Sequence, residues 1–257
     1  MLRFSLLGSG SSGNAALVVS PRTKVLIDNG LSFRQLEARV SAIGSSLEGL
    51  DAVFVTHEHG DHVHGLGTLA RRLDVPVFMT EETFRSLPPG VGKLPRIETF
   101  EAGDTVRVAD LEVSSFSIAH DAADPVSFTI ACDGAKLGLA IDVGHVSQLV
   151  RNRLSRCHAL VLESNYCPDM LMQGSYPPQV QQRIRGRLGH MSNYDMTSLL
   201  NTLLHDALKL VVLVHISERN NHPDLVRRLA QQVLAKRPAM LHLATQNEPT
   251  KLFEVCP

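Results

Sequence analysis

Six consecutive residues, His57-Glu58-His59-Gly60-Asp61-His62, constrain this chain more than any other stretch. An apolar run at 52–55 precedes them, and leucines at helical spacing follow from residue 66. This order predicts a buried strand, a tight turn and the start of a helix. Four potential metal ligands therefore fall within one turn. His57 and His59 alternate, which directs both imidazoles to one point, while Asp61 and His62 project to a second point beside it.

The residue types in this turn favour a metal site. Four such side chains would repel or clash if they were packed as core. Imidazole nitrogens and carboxylate oxygens are ligands that borderline divalent ions take in proteins. The alternative interpretation is a polar loop with surface histidines. We favour metal binding, because the spacing brings the imidazoles together in pairs.

Other metal-capable residues follow β-like runs in the same way. With His57 they form this set: Asp28, His120, Asp142, Glu163 and His215. Polar residues at successive strand ends would share one rim of a sheet sandwich, whereas unrelated polar residues would be scattered. No composition break divides the chain, so we predict a single domain over 1–257 with two halves meeting near residue 120. The pattern also predicts helices over 33–43, 179–188, 193–204 and 224–235 and a final strand near residue 241.

Composition bounds the class of protein. The 257 residues are 44% hydrophobic and 20% charged, which is typical of a globular protein with a sizeable core. The net charge of −1 gives no global basic field, so any nucleic-acid surface has to be local. There is no signal-like N-terminus and no apolar run of membrane-spanning length. Four cysteines without a C-x-x-C pair indicate free thiols, so we expect a cytoplasmic protein without a membrane partner.

Two further segments have open interpretations. The glycine- and serine-rich loop at 8–14 follows the first strand and is either a hairpin turn or an anion cradle. No lysine follows it as in a nucleotide-binding P-loop. Arg183, Arg185 and Arg187 alternate before Gly189-His190, and they form either a local track for a nucleic-acid backbone or a solvated face.

The motif H-x-H-x-D-H resembles the signature of the metallo-β-lactamase superfamily, and the other strand-end residues match that family's remaining signature positions in order. The resemblance covers essentially the whole chain. It implies an α/β fold, a four-layer αββα sandwich with a binuclear metal site on one rim. A closer resemblance, to the YycJ-like branch, rests on five segments: Gly8–Asn14, Ser117–Pro125, Leu162–Asn165, Gly189–Asn193 and His215–Pro223. That branch is associated with 5′-to-3′ exonuclease activity on DNA.

The resemblance also implies roles for individual residues. Metal one would take His57, His59 and His120. Metal two would take Asp61, His62 and His215, with Asp142 bridging both ions. All ligands are nitrogen or oxygen, so zinc and manganese both remain open. Asp28 would orient the metal loop without binding metal. His190 would donate a proton to the leaving group, held by Glu163, and Asp61 is counted with these catalytic residues as well as with the ligands.

The expected activity is that of a metal-dependent phosphodiesterase, a 5′-to-3′ exonuclease that attacks DNA, in preference to RNA, with a hydroxide shared by two divalent ions. Its expected phosphate contacts are Ser11, Ser12, Asn14, Asn165 and Ser192. One rival is a small-molecule hydrolase, of a thioester or a lactam, on the same binuclear site. A second rival is a non-catalytic metal-binding module, which seven intact ligand positions disfavour.

Overall fold

Two seven-stranded sheets lie face to face in the computed structural model, which describes all residues from 1 to 257. Helices cover both outer faces, so the predicted αββα sandwich is confirmed. The first sheet contains, in spatial order, β14 (Phe253–Val255), β1 (Leu2–Gly8), β2 (Ala15–Val19), β3 (Lys24–Ile27), β4 (Ala52–Phe54), β5 (Val77–Thr80) and β6 (Ile97–Phe100). The second contains β13 (Met240–Leu243), β12 (Leu210–Val214), β11 (Ala159–Glu163), β10 (Ala135–Ala140), β9 (Val126–Cys132), β8 (Leu111–Ser117) and β7 (Thr105–Val108).

Nine α-helices and one short 3-10 helix (Pro89–Val91) connect these strands. The α-helices are α1 (Phe33–Ala42), α2 (Gly60–Val63), α3 (Leu66–Leu73), α4 (Glu81–Arg85), α5 (Gln148–Leu154), α6 (Pro168–Gln173), α7 (Pro178–Arg185), α8 (Asn193–Leu203) and α9 (Pro223–Leu234). None of them is both long enough and apolar enough to span a lipid bilayer.

The strands are apolar on both faces because each sheet is covered twice. In β12, Val212 and Val214 point into the layer between the sheets, and Val211 and Leu213 point to the outer layer under α8 and α9. The first sheet repeats this arrangement, with its outer side chains packed against α1 and α3. Burying both faces explains why the strands read as continuous hydrophobic runs. The sandwich therefore has three apolar layers.

Parallel strand pairing decides where the polar residues meet. β3 to β6 run parallel in the first sheet, and β10 to β13 run parallel in the second. The carboxyl ends of parallel strands share one edge of a sheet, and ligands bind in open α/β sheets at that edge. Asp28 and His57 follow β3 and β4, while Asp142, Glu163 and His215 end or follow β10, β11 and β12. The predicted single rim is therefore confirmed.

Three features differ from the sequence predictions. The chain passes from the first sheet to the second between Phe100 and Thr105, upstream of the predicted junction near residue 120. α7 ends at Arg185 instead of residue 188, because Gly186 leaves the helical conformation. Two strands, β6 and β14, and three short helices, α4, α5 and α6, were not predicted. β14 has only three residues, and it is recognisable only through its pairing with β1, about 250 residues away.

Candidate metal centre

Three residues of the rim hold an unusual backbone conformation. Asp28, Asp142 and His215 each follow a strand, and their φ angles are 59°, 58° and 53°. This left-handed region is sparsely populated by residues other than glycine. Such conformations persist where the surrounding structure enforces them, and they cluster at functional sites. Here the bend turns each side chain off the end of its strand and into the rim.

Three imidazoles form the first cluster of donors, which we call the imidazole group: His57, His59 and His120. His59 Nδ1 lies 3.1 Å from His57 Nε2 and 3.2 Å from His120 Nε2. Two nitrogens bound to one zinc ion at about 2.0–2.1 Å in tetrahedral geometry lie about 3.3 Å apart. The observed spacing is close to that value. The three residues assigned to metal one thus converge on one point.

The second cluster, the carboxylate–histidine group, contains Asp142, Glu163, His190 and His215. His215 Nδ1 lies 2.6 Å from Asp142 Oδ1 and 3.1 Å from Glu163 Oε1. His190 Nδ1 lies 2.8 Å from Glu163 Oε1 and 3.2 Å from Asp142 Oδ1. Two carboxylates therefore share two imidazoles, and three of the four residues are buried.

Asp142 connects the two groups through its other oxygen. Asp142 Oδ2 lies 2.7 Å from His62 Nε2 and 3.7 Å from His57 Nε2. This position, between the two clusters, is the one that the bridging prediction requires. Asp61 lies at the margin, with Oδ2 3.6 Å from His62 Nε2, and its side chain is 24% exposed. Asp61 lines the same cavity as His59 and His120.

The imidazoles are oriented by neighbours that lie farther from the centre. Asp28 Oδ2 lies 2.8 Å from His62 Nδ1, and the Thr56 backbone N–H and hydroxyl donate to the two oxygens of Asp28, each at 2.8 Å. The same hydroxyl lies 2.9 Å from His57 Nδ1. Thr56 was missed in the sequence analysis. Its position between β4 and the histidine motif was the only signal, and threonine is common at strand ends.

Glu163 is fixed by the backbone on both sides. The N–H groups of Val143 and Met191 donate to Glu163 Oε2 at 2.9 and 3.0 Å, which leaves Oε1 for His190 and His215. On the other side of the rim, His120 Nδ1 lies 3.1 Å from the carbonyl oxygen of Gly189. The segment that carries His190 thus also orients a member of the imidazole group.

Burial dominates the electrostatics of the imidazole group. Desolvation, together with the positive potential of His62, lowers the pKa of His57 well below its usual value. Desolvation also lowers the pKa of His120. Both rings are therefore neutral at pH 7 and present free nitrogen lone pairs, which is the form that binds a metal ion.

Carboxylates determine the pKa values of the histidines in the carboxylate–histidine group. Burial by itself lowers the pKa of His215, but Asp142 and Glu163 outweigh it and raise that pKa to about 9. The pKa of His190 lies well above its usual value against the same opposing burial, because Glu163 and Asp142 stabilise its charged form. Burial raises the pKa of Asp142, yet His215 and His62 together hold it well below the ordinary range. This group therefore carries protons when no other cation is present.

The donor sets fit divalent metal binding. Asp142 Oδ1 is buried and lies 2.6 Å from His215 Nδ1, but the two atoms do not have the geometry of a hydrogen bond. His215 Nε2 is buried as well and has no hydrogen-bond partner. Leaving such atoms unpaired is costly, so a native protein normally satisfies them. Imidazoles and carboxylates arranged around buried unpaired atoms are the donor set of a divalent-cation site.

Two adjoining cavities border this centre. The donor cavity, about 370 Å³ in volume, is lined by His59, Asp61, His120 and Asp142 among others. The serine cavity, about 480 Å³, is lined by Ser11, Ser12, Asn165, Ser217 and Gln246 among others. Both cavities reach His190 and His215, so a substrate in the serine cavity lies against the carboxylate–histidine group.

The five expected phosphate contacts divide between cavity and interior. Ser11, Ser12 and Asn165 line the serine cavity. Asn14 is buried, and its side-chain amide lies 3.0 Å from both Asp61 Oδ2 and His62 Nε2, so it holds the metal loop. Ser192 is also buried and caps α8, accepting a hydrogen bond from the Asp195 backbone N–H. Neither Asn14 nor Ser192 lines the donor cavity or the serine cavity.

The glycine- and serine-rich loop does not form an open anion cradle. The N–H of Gly10 donates to Asn14, that of Ser12 to Gln246, and that of Gly13 to the Gly10 carbonyl oxygen. These donors are committed within the protein, so the loop offers the cavity mainly its hydroxyl groups.

The three arginines of the predicted basic cluster are exposed at the end of α7 and just beyond it. Arg183 is paired, with Nε 2.5 Å from Asp121 Oδ2 at the edge of the donor cavity. Arg185 contacts the Met172 sulfur. The pairing with Asp121 reduces the positive charge of the cluster at its end nearest the centre.

Comparisons with known proteins agree with this geometry. The family model of the β-lactamase superfamily domain matches residues 23–216. Exodeoxyribonuclease YycJ of Bacillus anthracis is 36% identical over 92% of this chain and 90% of its own length. Exodeoxyribonuclease WalJ of Streptococcus pneumoniae is 33% identical over 89% and 88%. The crystal structure of the metallo-β-lactamase fold protein YhfI from Bacillus subtilis superposes with a TM-score of 0.72, covering 98% of this chain and all of that one at 15% identity.

Proposed function

This chain belongs to the metallo-β-lactamase superfamily, in the branch of the YycJ-like exodeoxyribonucleases, and we propose that it is a metal-dependent exonuclease that degrades DNA from the 5′ end. The observation that carries the proposal is the His190–Glu163 pair beside the donor groups, at a distance of 2.8 Å. Hydrolysis of a phosphodiester requires a proton for the leaving oxygen. A protonated imidazole held at the edge of the cation site supplies one.

The cation sites are assigned to named residues in this proposal. The imidazole group would hold one ion. Asp61, His62 and His215 would hold the second, and Asp142 would be shared between them; zinc and manganese both suit these ligands. A pair of divalent ions would lower the pKa of a shared water and stabilise the attacking and leaving oxygens at phosphorus. Asp28 and Thr56 keep the imidazoles of His57 and His62 in the required orientation.

The proton donor is His190 in this mechanism. Its Nδ1 faces Glu163 and Asp142, while no hydrogen bond within the protein uses Nε2, so that nitrogen is the one that reaches a substrate in either cavity. In the metal-free protein burial lowers the pKa of His190, but Glu163 and Asp142 outweigh it and raise that pKa well above its usual value, which favours the charged ring. A positioned general acid contributes roughly 10²–10⁴-fold to the rate. Glu163 touches no substrate and acts by keeping His190 charged and oriented.

Exonuclease relatives that cover nine tenths of the chain support DNA as the substrate. The serine cavity supports it too, because hydroxyl and amide groups there are suited to phosphate oxygens and the cavity volume suits a nucleotide-sized ligand. Release of single nucleotides and the 5′-to-3′ direction rest on the resemblance to this branch.

The test is a side-by-side assay of purified, metal-loaded protein. We would incubate it with single- and double-stranded DNA labelled at either end, with RNA of the same sequence, and with a thioester and a β-lactam. We expect 5′ mononucleotides released from the 5′ end of DNA and no product after chelation. Faster degradation of RNA would reassign the substrate, and turnover of the thioester or lactam alone would overturn the proposal.

A further inference from the structure

One aromatic side chain lies where the two cavities meet. Tyr176 lines both the donor cavity and the serine cavity, as do His190 and His215. It is partly exposed, and its hydroxyl makes no hydrogen bond within the protein. A buried tyrosine usually finds a partner for its hydroxyl, so this ring is not placed as a core residue. The mechanism above gives it no role.

The backbone fixes Tyr176 in this position. It lies between α6 and α7 and is followed by Pro177 and Pro178, whose rings restrict the chain. The Gln181 side chain donates to the Tyr176 carbonyl oxygen at 3.0 Å and to that of Gly174 at 3.3 Å. The ring is therefore presented by a short connection of four residues, 174–177, that prolines and hydrogen bonds hold in place.

A cation is held against the same ring. The guanidinium carbon of Arg219 lies 5.7 Å from the centroid of Tyr176, within the range of a cation–π contact. Arg219 also lines the serine cavity. Its loop is anchored next to Tyr176, because the Cys167 N–H donates to the Asn220 carbonyl oxygen at 2.8 Å. Gly174 permits that packing, since a Cβ there would lie 2.7 Å from Asn220 Oδ1.

A planar aromatic ring with a guanidinium over one of its faces is suited to one class of ligand. Nucleobases stack on aromatic rings and on arginine, and this stacking tolerates any sequence because every base has a π-face. Tyr176 lines the same two cavities as His190, the proposed proton donor. A nucleotide whose phosphate is at the cation site would therefore carry its base to this surface.

We propose that Tyr176, supported by Arg219, is the stacking surface for the base of a nucleotide next to the scissile phosphate. This inference rests on the proposed nuclease function. Stacking of this kind binds unpaired DNA without regard to sequence, as an exonuclease that degrades any sequence requires. Tyr176 is a substrate-binding residue in this account and takes no part in proton transfer.

The test compares intact and abasic substrates. Tyr176→Ala should raise KM for single-stranded DNA by roughly 5- to 100-fold with little change in kcat. Tyr176→Phe should behave as wild type, because the hydroxyl is not used. A DNA that lacks the base at the first or the second nucleotide from the attacked end should abolish the difference between Tyr176→Ala and wild type at one of these two positions.

The matched control is Tyr194→Ala, since Tyr194 is another exposed tyrosine and lines neither cavity. It should leave KM unchanged. A Tyr176→Ala protein with the wild-type KM on intact DNA would overturn the proposal. So would a loss of equal size on intact DNA and on both abasic substrates, because a merely structural defect would not depend on the base.

A binding measurement separates this proposal from the nuclease proposal. Single-stranded DNA with 2-aminopurine at the first or second nucleotide, and with phosphorothioate linkages that resist cleavage, should lose fluorescence on binding to the metal-loaded protein, because stacking quenches that base. Tyr176→Ala should abolish the quenching and Arg219→Ala should reduce it. If the wild-type protein cleaves no nucleic acid, the nuclease proposal fails, while quenching that depends on Tyr176 still supports the stacking surface. Quenching unaffected by Tyr176→Ala, or absent in wild type, overturns it.

Discussion

The imidazole group and the carboxylate–histidine group occupy one rim but differ in charge. In the first, His57 and His120 have lowered pKa values and no carboxylate within the cluster itself. In the second, two carboxylates surround His190 and His215, whose pKa values are raised. The first group is thus ready to bind a cation, whereas the second must exchange protons for one. His57 and His59 follow β4 of the first sheet and His120 follows β8 of the second, whereas all four residues of the carboxylate–histidine group come after the chain has entered the second sheet.

This contrast assigns different chemical roles to the two groups. Neutral imidazoles bind an ion without proton release, so the imidazole group suits tight and permanent binding. The carboxylate–histidine group contains two imidazoles, those of His190 and His215, that combine a carboxylate partner with access to both cavities, and His190 is the more exposed of the two, at 24% against 4%. Proton transfer therefore belongs to the carboxylate–histidine group through His190, while the imidazole group serves cation binding alone.

The largest effect is expected from the residue shared by both groups. Asp142→Ala removes the carboxylate that contacts His62 and His215, so activity should fall by roughly 10³-fold or more and metal content should drop. Elemental analysis with a nuclease assay checks both. Asp133→Ala is the control, because Asp133 has the same left-handed backbone but lies exposed in a hairpin. Full activity in Asp142→Ala would contradict the shared role.

The second-largest effect is expected from a pair of variants, one that removes the proton donor and one that removes a metal ligand. His190→Ala should lower kcat by about 10²–10⁴-fold while the imidazole group keeps its metal. His120→Ala should instead lower the metal content, since it removes one of three ligands. The separate roles of the two groups would be contradicted if His190→Ala lost metal as readily as His120→Ala. They would also be contradicted if His190→Ala kept wild-type turnover at full metal occupancy.

The raised pKa of His215 predicts a pH dependence of the metal-free protein. A folded pKa of about 9 against an ordinary value of 6.5 stabilises the folded state fully below pH 6.5, and this contribution is lost as pH rises through 9. The loss amounts to at most about 3 kcal/mol in the free energy of unfolding. Urea denaturation of chelated protein at pH 6.5 and pH 9 measures it. Stability that is constant or increases over this range would refute the account.

The smallest of the expected effects concerns the neighbours that orient the ligands. Asp28→Asn keeps the size of the side chain but weakens its contact with His62, so metal affinity should fall about 10–100-fold. Thr56→Val removes the hydroxyl that bonds Asp28 and should cause part of the same loss. Competition with a coloured chelator measures both affinities. Equal affinity in all three proteins would show that Asp28 does not support the ligands.

The rim could be predicted from the sequence because the signal that marks a strand end is local. A histidine motif after an apolar run and single polar residues after other runs reveal strand ends without knowledge of the fold. The pairing of strands within a sheet is not local in this sense, because the partners can be far apart along the chain. β14 has three residues, and its place beside β1 is also stabilised by the Thr250 carbonyl oxygen, which accepts from the Ser5 hydroxyl at 2.7 Å.

The predicted phosphate contacts show the same limit. Ser11 and Asn14 are three residues apart in one loop, yet one faces the serine cavity and the other is buried against Asp61. Residue type cannot distinguish them, because both side chains bind phosphate and protein equally well. Tyr176 was absent from the prediction for a related reason. A lone tyrosine before two prolines indicates a turn, and only the fold places it beside His190.

The left-handed backbone at Asp28, Asp142 and His215 has an evolutionary consequence. Glycine adopts that conformation without strain, so replacing any of the three would relieve the main chain while deleting a side chain from the rim. Selection for robustness alone would thus erode this protein's chemistry, and only continued demand for the activity keeps the three costly residues in place. Descendants freed from that demand should accumulate glycine at these strand ends first.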